Sequence, residues 1–315
     1  MIDNFGRDID YLRISVTDLC NLRCVYCMPE EGVDKLDHND ILTVEEIEKI
    51  ALAAAELGVK KIRLTGGEPL VRKGIMDIVR RISKIEGIRE VALTTNGTLL
   101  AKKAAELKKA GLSRVNISFD AFDSDTYREV TRGGEVSDVM AGIKAAIDAG
   151  LTPIKLNAVL MGGVNDSFIK PLIAMTEEAD FRVRFIEIMP IGECSRWNKE
   201  RFVSIEKVLE EEPSLEYFGT DGVSKLYRKP GSKGSVGLIS PISNHFCPSC
   251  NKVRVTADGK LKPCLHSAEE ISLKGLSGNE LVETIRTAIL SKPFQHELVT
   301  EKCSRSQRGM SAIGG

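Results

Sequence analysis

Residues 11–27 read YLRISVTDLCNLRCVYC, a stretch that joins a strand-like run to three clustered cysteines. The run YLRISVT is apolar and β-branched, which is typical of a strand. Cys20, Cys24 and Cys27, here called the first triplet, follow at the spacing C-x3-C-x2-C. Thiolates grouped in this way bind zinc or an iron–sulfur cluster, and a four-iron cluster on three cysteines keeps one iron open. The alternatives are a zinc knuckle completed by His38, or three unrelated thiols.

Strand-like runs return along the first two thirds of the chain and alternate with helical patterns. The apolar stretches begin near Tyr11, Val59, Val91, Arg114, Ile154 and Val183. Between them lie runs such as residues 44–58, where apolar residues recur at spacings of three and four and Thr43 with Glu46 predicts a capping box. Six such units indicate parallel strands with crossover helices, as either an open partial barrel or a doubly wound sheet.

Unusual residues cluster at the carboxyl ends of the predicted strands: Thr17, Gly66, Gly67, Asn96, Ser118, Asp120 and Met189. Because the active site of a barrel lies at that rim, we favour an α/β fold with a partial TIM-like barrel of about six units. Beyond about residue 205 the strand-like pieces become shorter and richer in glycine and proline. We therefore expect residues 1–205 to form the partial barrel and residues 206–315 to form a small mixed region that closes its open side.

The composition limits the class of protein. A formal net charge of -1 and a pI of about 6.5 argue against nucleic-acid and membrane partners. A signal peptide and a bilayer-spanning apolar run are both missing from the sequence, so we expect a cytoplasmic protein. Eight cysteines in such a chain indicate metal or redox chemistry more than disulfides. Cys194 and Cys303 belong neither to the first triplet nor to the second group of three cysteines described next, and they are interpreted as ordinary thiols.

A second triplet has the spacing C-x2-C-x13-C: Cys247, Cys250 and Cys264. A zinc ribbon with three cysteines and either His245 or His266 is one interpretation. Lys252 and Arg254 follow on the strand-like run KVRVT, at alternate positions that share a face. Two cations beside a thiolate cluster suit an anionic ligand such as a triphosphate.

Other basic residues occupy strand positions where a core would place apolar side chains: Arg13, Lys61, Arg63, Lys155, Arg182 and Arg184. They could point outward and extend their charges to solvent. In a parallel barrel, however, helices cover the outer face of each strand. Inward-pointing cations that line a cavity are therefore the favoured interpretation.

The first triplet, with Tyr26 just before its last cysteine, resembles the signature of radical S-adenosylmethionine enzymes, and so does the turn LTGGEP at residues 64–69. On its own that turn could be an ordinary tight turn. The resemblance implies that the open iron binds the methionine moiety of S-adenosylmethionine and that reductive cleavage gives a 5'-deoxyadenosyl radical. It implies these S-adenosylmethionine contacts: Tyr26, Gly67, Glu68, Ser118 and Met189.

The full chain resembles the GTP 3',8-cyclase family of molybdenum cofactor biosynthesis, in motifs such as DLCNLRCVYC, RLTGGEP, TTNG, NISFD, IKLNAV and RFIEIMP. The resemblance implies a lyase with two [4Fe-4S] clusters, one on each triplet. It would convert GTP to (8S)-3',8-cyclo-7,8-dihydroguanosine 5'-triphosphate. The implied GTP contacts are Arg13, Lys61, Arg63, Thr94, Lys155, Arg184, Lys252 and Arg254. Many relatives carry arginine at the position of Lys252. The lysine keeps the positive charge but lacks the planar, forked guanidinium group of arginine.

The same resemblance assigns a catalytic role to the end of the chain, through Arg308, Gly314 and Gly315. Its implied partners are GTP, an external electron donor and a downstream enzyme that makes cyclic pyranopterin monophosphate, with a homodimer left open. Two alternatives remain from other classes: a radical enzyme that modifies a peptide and carries an auxiliary cluster, and a zinc-stabilised binding module without chemistry.

Overall fold

The computed structural model describes residues 1–298 and 304–314. In these residues the strands form one twelve-stranded sheet with the order β12-β11-β10-β1-β2-β3-β4-β5-β6-β9-β8-β7. The strands are β1 (Tyr11–Ser15), β2 (Lys61–Thr65), β3 (Glu90–Thr95), β4 (Arg114–Ser118), β5 (Ile154–Leu160), β6 (Phe181–Glu187), β7 (Glu216–Asp221), β8 (Ser224–Arg228), β9 (Ser235–Ile239), β10 (Lys252–Val255), β11 (Lys260–Lys262) and β12 (Ile271–Ser272).

Helices connect the strands from β1 to β6, and these six strands pair in sequence order and in parallel. The helices are α1 (Val44–Glu56), α2 (Ile75–Ile82), α3 (Ala104–Ala110), α4 (Ser124–Thr131), α5 (Val136–Asp148), α6 (Ile169–Glu178), α7 (Lys207–Glu211) and α8 (Gly278–Leu290). Short 3-10 turns lie at Pro69–Val71, Leu100–Lys102, Asp166–Phe168, Gly192–Arg196, Lys199–Arg201 and Cys247–Ser249. The predicted α/β class with six parallel units is confirmed.

The strands have one apolar face and one polar face, and this alternation positions the core. Leu12 and Ile14 of β1 are fully buried, as are Ile62 and Leu64 of β2, in the cluster that packs beneath the helices. Polar residues occupy the intervening positions on the opposite face. At α1 the predicted capping box forms, because the Thr43 side chain accepts from the backbone of Glu46 and the Glu46 side chain accepts in return.

The C-terminal strands extend the sheet at both edges. In the described residues the sheet stays open, because its outermost strands, β12 and β7, do not pair with each other. β10 pairs in parallel with β1, and β9 pairs in parallel with β6, so eight parallel strands lie together. Both added strands are apolar on one face. They also pair with the backbone groups of β1 and β6, which would otherwise be exposed edge strands. The sheet is also curved, since strands from its two sides approach each other. A Cβ added at Gly222, between β7 and β8, would lie 3.8 Å from the Lys252 ammonium of β10.

The tail of the chain is packed into the molecule. Residues Met310–Ile313 form a short helix, here called the tail helix, and Gly314 follows with a φ of 80°. A side chain at Gly314 would overlap the Thr65 hydroxyl, so the backbone itself fills this position. Cys303 and Gly315 lie outside the described residues. None of the helices in the described part of the chain has the length and apolar content that crossing a bilayer would require.

Candidate functional site

Of the cations on the polar face of the sheet, we call the following six the cationic face: Arg13, Arg63, Lys155, Arg184, Lys252 and Arg254. Arg13 pairs laterally with Arg63 on one side and with Arg254 on the other, so the three side chains share a face. Arg63 and Lys252 each lie over the Tyr11 ring, at 5.2 and 5.4 Å from its centroid. The sequence-predicted cations therefore come together, while Lys61 is exposed at the first position of β2.

Burial lowers the pKa values across the cationic face. The pKa falls to about 7 for Lys155, about 8 for Lys252, and about 10 for Arg184 and Arg254. Desolvation is the largest cause in each case, and repulsion from neighbouring cations adds to it. Such closely packed buried charges are costly unless an anion compensates them.

Several buried polar atoms on this face have no hydrogen-bond partner within residues 1–298 and 304–314: Tyr11 OH, Arg63 Nε, Thr94 Oγ1, Asn116 Nδ2, Asn157 Oδ1 and Arg184 Nε. Buried polar atoms are normally satisfied, so these atoms fit the contacts of a polar, anionic ligand. The sequence reasoning missed Asn116 and Asn157. The signal that could have found them is the same alternation of strand positions that identified the cations.

Asp221 at the end of β7 contacts the cationic face and was also missed. Its Oδ2 accepts hydrogen bonds from the Lys155 ammonium and, at 2.6 Å, from Arg184 Nη2. Burial alone would raise the pKa of Asp221, but the Lys155 hydrogen bond and the Arg184 charge hold it well below its usual range. In the sequence Asp221 stands before a glycine in an ordinary hairpin turn, so no local pattern marks it.

The first triplet occupies the loop after β1, and its three thiols influence one another. The Cys27 amide donates to the Cys24 carbonyl at 2.9 Å, which folds the loop into a turn. Burial raises the pKa of Cys24 and raises that of Cys27 to about 12, and charge on the other thiols adds to the rise. The Leu22 amide lies 3.4 Å from Cys20 Sγ. A cluster bound here would stabilise the thiolates that the protein alone disfavours.

The Gly66–Gly67 turn packs directly against this cysteine loop. The Gly67 amide donates to the Thr17 carbonyl at 2.9 Å, and the Glu68 amide donates to the Leu19 carbonyl at 2.8 Å. A Cβ at Gly66 would lie 2.5 Å from the Thr17 carbonyl oxygen, and one at Gly67 would overlap Leu19. The glycines are therefore required for the close approach of the loop that carries the first triplet.

Two buried carboxylates organise the rim of the sheet. Glu68 accepts from the Leu70 amide, the Thr95 hydroxyl and the Asn96 amide, and burial raises the pKa of Glu68 to about 7. Asp120 accepts from the Tyr26 hydroxyl at 2.8 Å, and burial raises the pKa of Asp120 to about 6. The remaining residues of the predicted S-adenosylmethionine site, Ser118 and Met189, lie half-buried at the ends of β4 and β6.

The second triplet is built from two segments that Lys292 holds together. Cys247 and Cys250 precede β10, and Cys264 follows β11. The buried Lys292 ammonium donates to the Lys252 carbonyl at 2.9 Å and to the Pro263 carbonyl at 2.8 Å. Although burial opposes it, the Lys292 charge lowers the pKa of Cys250. Lys292 was not identified from the sequence.

The donor sets fit clusters better than single zinc ions. Among the described residues, no group of three His, Cys, Asp or Glu side chains is arranged to hold one metal ion. A cluster needs no such convergence, because each thiolate binds a different iron. His266, one of the two candidate zinc ligands beside the second triplet, lies with Nδ1 3.2 Å from the Ser304 hydroxyl, and the rings of His266 and of the other candidate, His245, both pack on His296. Three thiols per site, without a fourth ligand, suit a four-iron cluster with an open iron.

The two triplets lie at opposite ends of the strands. The first triplet follows the carboxyl end of β1, whereas Cys250 precedes the amino end of β10, which runs parallel to β1. At roughly 3.3 Å per residue, these strands separate the two ends by about 13 Å. The cationic face occupies the interval between the two triplets.

The tail brings Gly314 to the cationic face. Arg254 Nη1 donates to the Gly314 carbonyl at 3.3 Å. Arg308 makes bidentate ion pairs with Asp258, at 3.0 and 2.8 Å, and with Glu270, at 2.8 Å for both bonds. The structure thus places Arg308 in contacts that fix the tail.

Comparison with known protein families defines the class. The model of the Radical SAM superfamily matches residues 14–175, about half of the chain, and that of Molybdenum Cofactor Synthesis C matches residues 181–298. The chain therefore belongs to the radical SAM superfamily. GTP 3',8-cyclase of Alkaliphilus oremlandii is 53% identical over 320 residues, and GTP 3',8-cyclase of Desulforamulus reducens is 47% identical over 328 residues; each alignment covers 100% of both chains. Within the superfamily, the chain belongs to the GTP 3',8-cyclase family.

Solved structures share the fold at low sequence identity. SuiB of Streptococcus suis bound to S-adenosylmethionine has a TM-score of 0.61 and 15% identity, and the match covers 97% of this chain and 77% of SuiB. Methylornithine synthase PylB has a TM-score of 0.54 and 14% identity, with 91% of this chain and 83% of PylB covered. These likenesses establish a common architecture and carry no further conclusion.

Proposed function

We infer that the chain is a lyase that catalyses the GTP 3',8-cyclase reaction of molybdenum cofactor biosynthesis, as a radical enzyme with S-adenosylmethionine and two [4Fe-4S] clusters. One observation carries this conclusion beyond the family resemblance: two cysteine triplets lie at opposite ends of a buried cationic face, where several polar atoms have no hydrogen-bond partner among the described residues. When bound, the first cluster with S-adenosylmethionine supplies the radical chemistry of the superfamily, and the second cluster supplies an open iron for the substrate.

We propose that the first triplet and the rim of the sheet hold S-adenosylmethionine. Gly67 brings the turn against the cysteine loop, and Glu68, which already accepts three hydrogen bonds, keeps one acceptor position for a ligand ammonium. Tyr26 is oriented by its hydrogen bond to Asp120. Ser118 and Met189 complete the proposed site at neighbouring strand ends.

We propose that the cationic face, with Thr94 and Lys61, binds GTP. The buried guanidinium groups of Arg63 and Arg184 are preorganised by the sheet, so little side-chain entropy is lost when phosphate oxygens bind them. Cys247, Cys250 and Cys264 would hold the second cluster beside Lys252 and Arg254. The Gly314 carbonyl already contacts Arg254, which supports a role for the tail in the site.

The wider arrangement is also proposed. Residues 1–205 would form the partial barrel, with residues 206–315 completing it as the region of the second cluster and the tail; the close approach of Gly222 to Lys252 supports this curvature. We propose that an external electron donor supplies the electron and that a downstream enzyme receives the cyclised nucleotide. A reducing cytoplasm would preserve the free thiols.

Iron analysis and product analysis test the function together. After anaerobic reconstitution the chain should hold about eight irons, and it should cyclise GTP when given S-adenosylmethionine and a reductant. Cys250→Ala should lose about half of the iron and all cyclisation, while it retains some uncoupled cleavage of S-adenosylmethionine. Cys20→Ala should abolish that cleavage as well, because the first cluster is lost.

Cys194→Ser is the matched control, because Cys194 is a buried thiol outside both triplets and serine keeps a donor for the Tyr26 carbonyl, which lies 3.3 Å from Cys194 Sγ. It should keep the full iron content. Cyclisation by Cys250→Ala would contradict the assignment of the second triplet as the substrate platform. About two zinc ions per chain in place of iron would contradict the radical mechanism itself.

A further inference from the structure

Asp221 brings a negative charge to the cationic face from a strand at the far edge of the sheet. One oxygen, Oδ2, receives its contacts: the Lys155 ammonium, Arg184 Nη2 at 2.6 Å and Arg182 Nη1 at 3.6 Å. Lys155 and Arg184 belong to the proposed GTP site. The carboxylate therefore uses the same donors that a bound phosphate would require.

The hairpin that carries Asp221 is attached to the sheet through β8. In the described residues β7 pairs with β8 and with no other strand, and three residues of β8 pair with β9. The tip of the hairpin reaches toward β10, because Gly222 approaches Lys252. Burial lowers the pKa of Arg63 on β2, and the charge of Asp221 is one of the smaller effects that oppose this shift. The tip thus lies across the cationic face from β6 toward β1.

The charges at the tip are unequal. The Asp221 carboxylate contacts three cations, Lys155, Arg182 and Arg184, and among the described residues Arg63 Nε and Arg184 Nε have no hydrogen-bond partner while Asp221 is in place. A triphosphate carries more charge and more acceptor oxygens than a carboxylate, so it can satisfy donors that Asp221 leaves unmet. The exchange of the carboxylate for phosphate is therefore favourable for a polyanion, whereas a small anion gains little from it.

We propose that Asp221 occupies the place of a phosphate oxygen in the substrate-free chain and is displaced when a nucleotide triphosphate binds. The inference rests on the proposed function of the cationic face as the GTP site. Asp221 then acts as an internal competitor of the triphosphate and keeps single small anions out of the cavity. The β7–β8 hairpin is the element that moves.

Binding to the cluster-loaded chain, without S-adenosylmethionine or reductant, tests the proposal by equilibrium dialysis under anaerobic conditions. Asp221→Asn keeps the size of the side chain and removes its charge. GTP and inorganic triphosphate should bind this variant about tenfold more tightly than the unaltered chain, which corresponds to about 1.4 kcal/mol. Guanosine, which has no phosphate, should bind both proteins equally.

Asp166→Asn is the matched control, because Asp166 forms a half-buried ion pair with Lys207 at 2.6 Å outside the site. It should leave GTP binding unchanged. Hydrogen exchange of the unaltered chain is a second measurement, and it needs no variant. Addition of GTP should speed amide exchange in residues 216–228. In Asp221→Asn the exchange of this segment should depend less on GTP.

The outcomes separate the two claims. Equal or weaker GTP binding by a folded Asp221→Asn overturns the competitor role and leaves the proposed function in place. Slower exchange of residues 216–228 on addition of GTP to the unaltered chain also overturns it, since the hairpin would then close on the ligand. Absence of GTP binding in every protein, with clusters loaded, would instead overturn the proposed function.

Discussion

Two buried cations of the site change charge near neutral pH, Lys155 first and Lys252 about one pH unit higher. Burial is the main reason that the pKa of Lys155 falls to about 7, and repulsion from Arg184 and Arg114 adds to the effect, while Asp221 opposes it. A bound phosphate would raise the pKa again, so binding takes up a proton when the free Lys155 is neutral. The titration of Lys155 should lower GTP affinity above about pH 7 by up to tenfold per pH unit, and the titration of Lys252 should steepen the fall above about pH 8.

The measurement is the dissociation constant of GTP on the cluster-loaded chain between pH 6 and pH 9. Lys155→Arg is the matched variant, because its guanidinium stays charged over this range. Its pH profile should lose the fall near pH 7 and keep the titrations of Lys252 and of the nucleotide. A fall in affinity that is identical in both proteins would show that Lys155 does not titrate in the site.

Individual site residues differ in how far the sequence reveals them. Arg63 and Lys155 could be predicted, because a cation at a strand position beneath covering helices must face a cavity. Asn116 follows the same alternation but is uncharged, so it did not stand out. Asp221 and Lys292 could not be predicted, since each acts on a partner more than 35 residues away in the chain and sits in an ordinary local pattern.

The tail is the element whose placement depends on one side chain. Arg308 is joined to Asp258 and Glu270 by four hydrogen bonds, and these half-buried ion pairs hold the segment that leads to Gly314. Breaking a paired network of this kind costs on the order of 1–3 kcal/mol after solvent screening. Arg308→Gln should therefore speed amide exchange of residues 304–314 by tenfold or more and lower kcat, with a smaller change in KM for GTP.

Arg305→Gln is the control for this prediction, because Arg305 belongs to the same segment but pairs with Glu297 at an exposed position. Its tail exchange should stay close to that of the unaltered chain. Fast tail exchange in Arg308→Gln with an unchanged kcat would show that the tail does not contribute to the site. Unchanged exchange would show that other contacts hold the tail.

At the level of elements, the strands β1 to β6 and their order were predictable, and the places of β9 and β10 were not. Periodicity identifies a strand but not its partner, and the nearest neighbour of β1 on one side is about 240 residues away. The small and polar residues of the tail carry no periodic pattern, so its position followed only from the family resemblance; in the structure Gly314, which follows the tail helix, packs on Ser15 and Thr65. The confirmed open sheet therefore contains more parallel strands than the sequence alone indicated.

The whole molecule depends on both halves of the chain. Without residues 206–315, β1 and β6 become edges, and apolar residues such as Leu12 and Ile14 lose contacts with Val253 and Val255. Each such side chain contributes roughly 1.5–3 kcal/mol when buried. A fragment of residues 1–205 should therefore fail to unfold cooperatively in urea. The full chain should unfold in one transition that Trp197 fluorescence and far-ultraviolet circular dichroism report alike.

A chain of residues 1–303 is the control, because it keeps every strand of the sheet. It should retain the cooperative transition of the full chain. A stable fragment of residues 1–205 with its own sharp transition would show that the N-terminal part folds independently, and that the shared sheet adds little to its stability.

The pairing of β1 with β10 has a consequence for synthesis of the protein. β1 emerges from the ribosome early, and its partner follows about 240 residues later. At typical translation speeds that interval lasts on the order of ten to fifty seconds. During this time one side of β1 presents unpaired backbone groups to other nascent chains. The cysteines of the first triplet follow β1 directly in the chain. For the same interval they are therefore present without the complete sheet that later surrounds them.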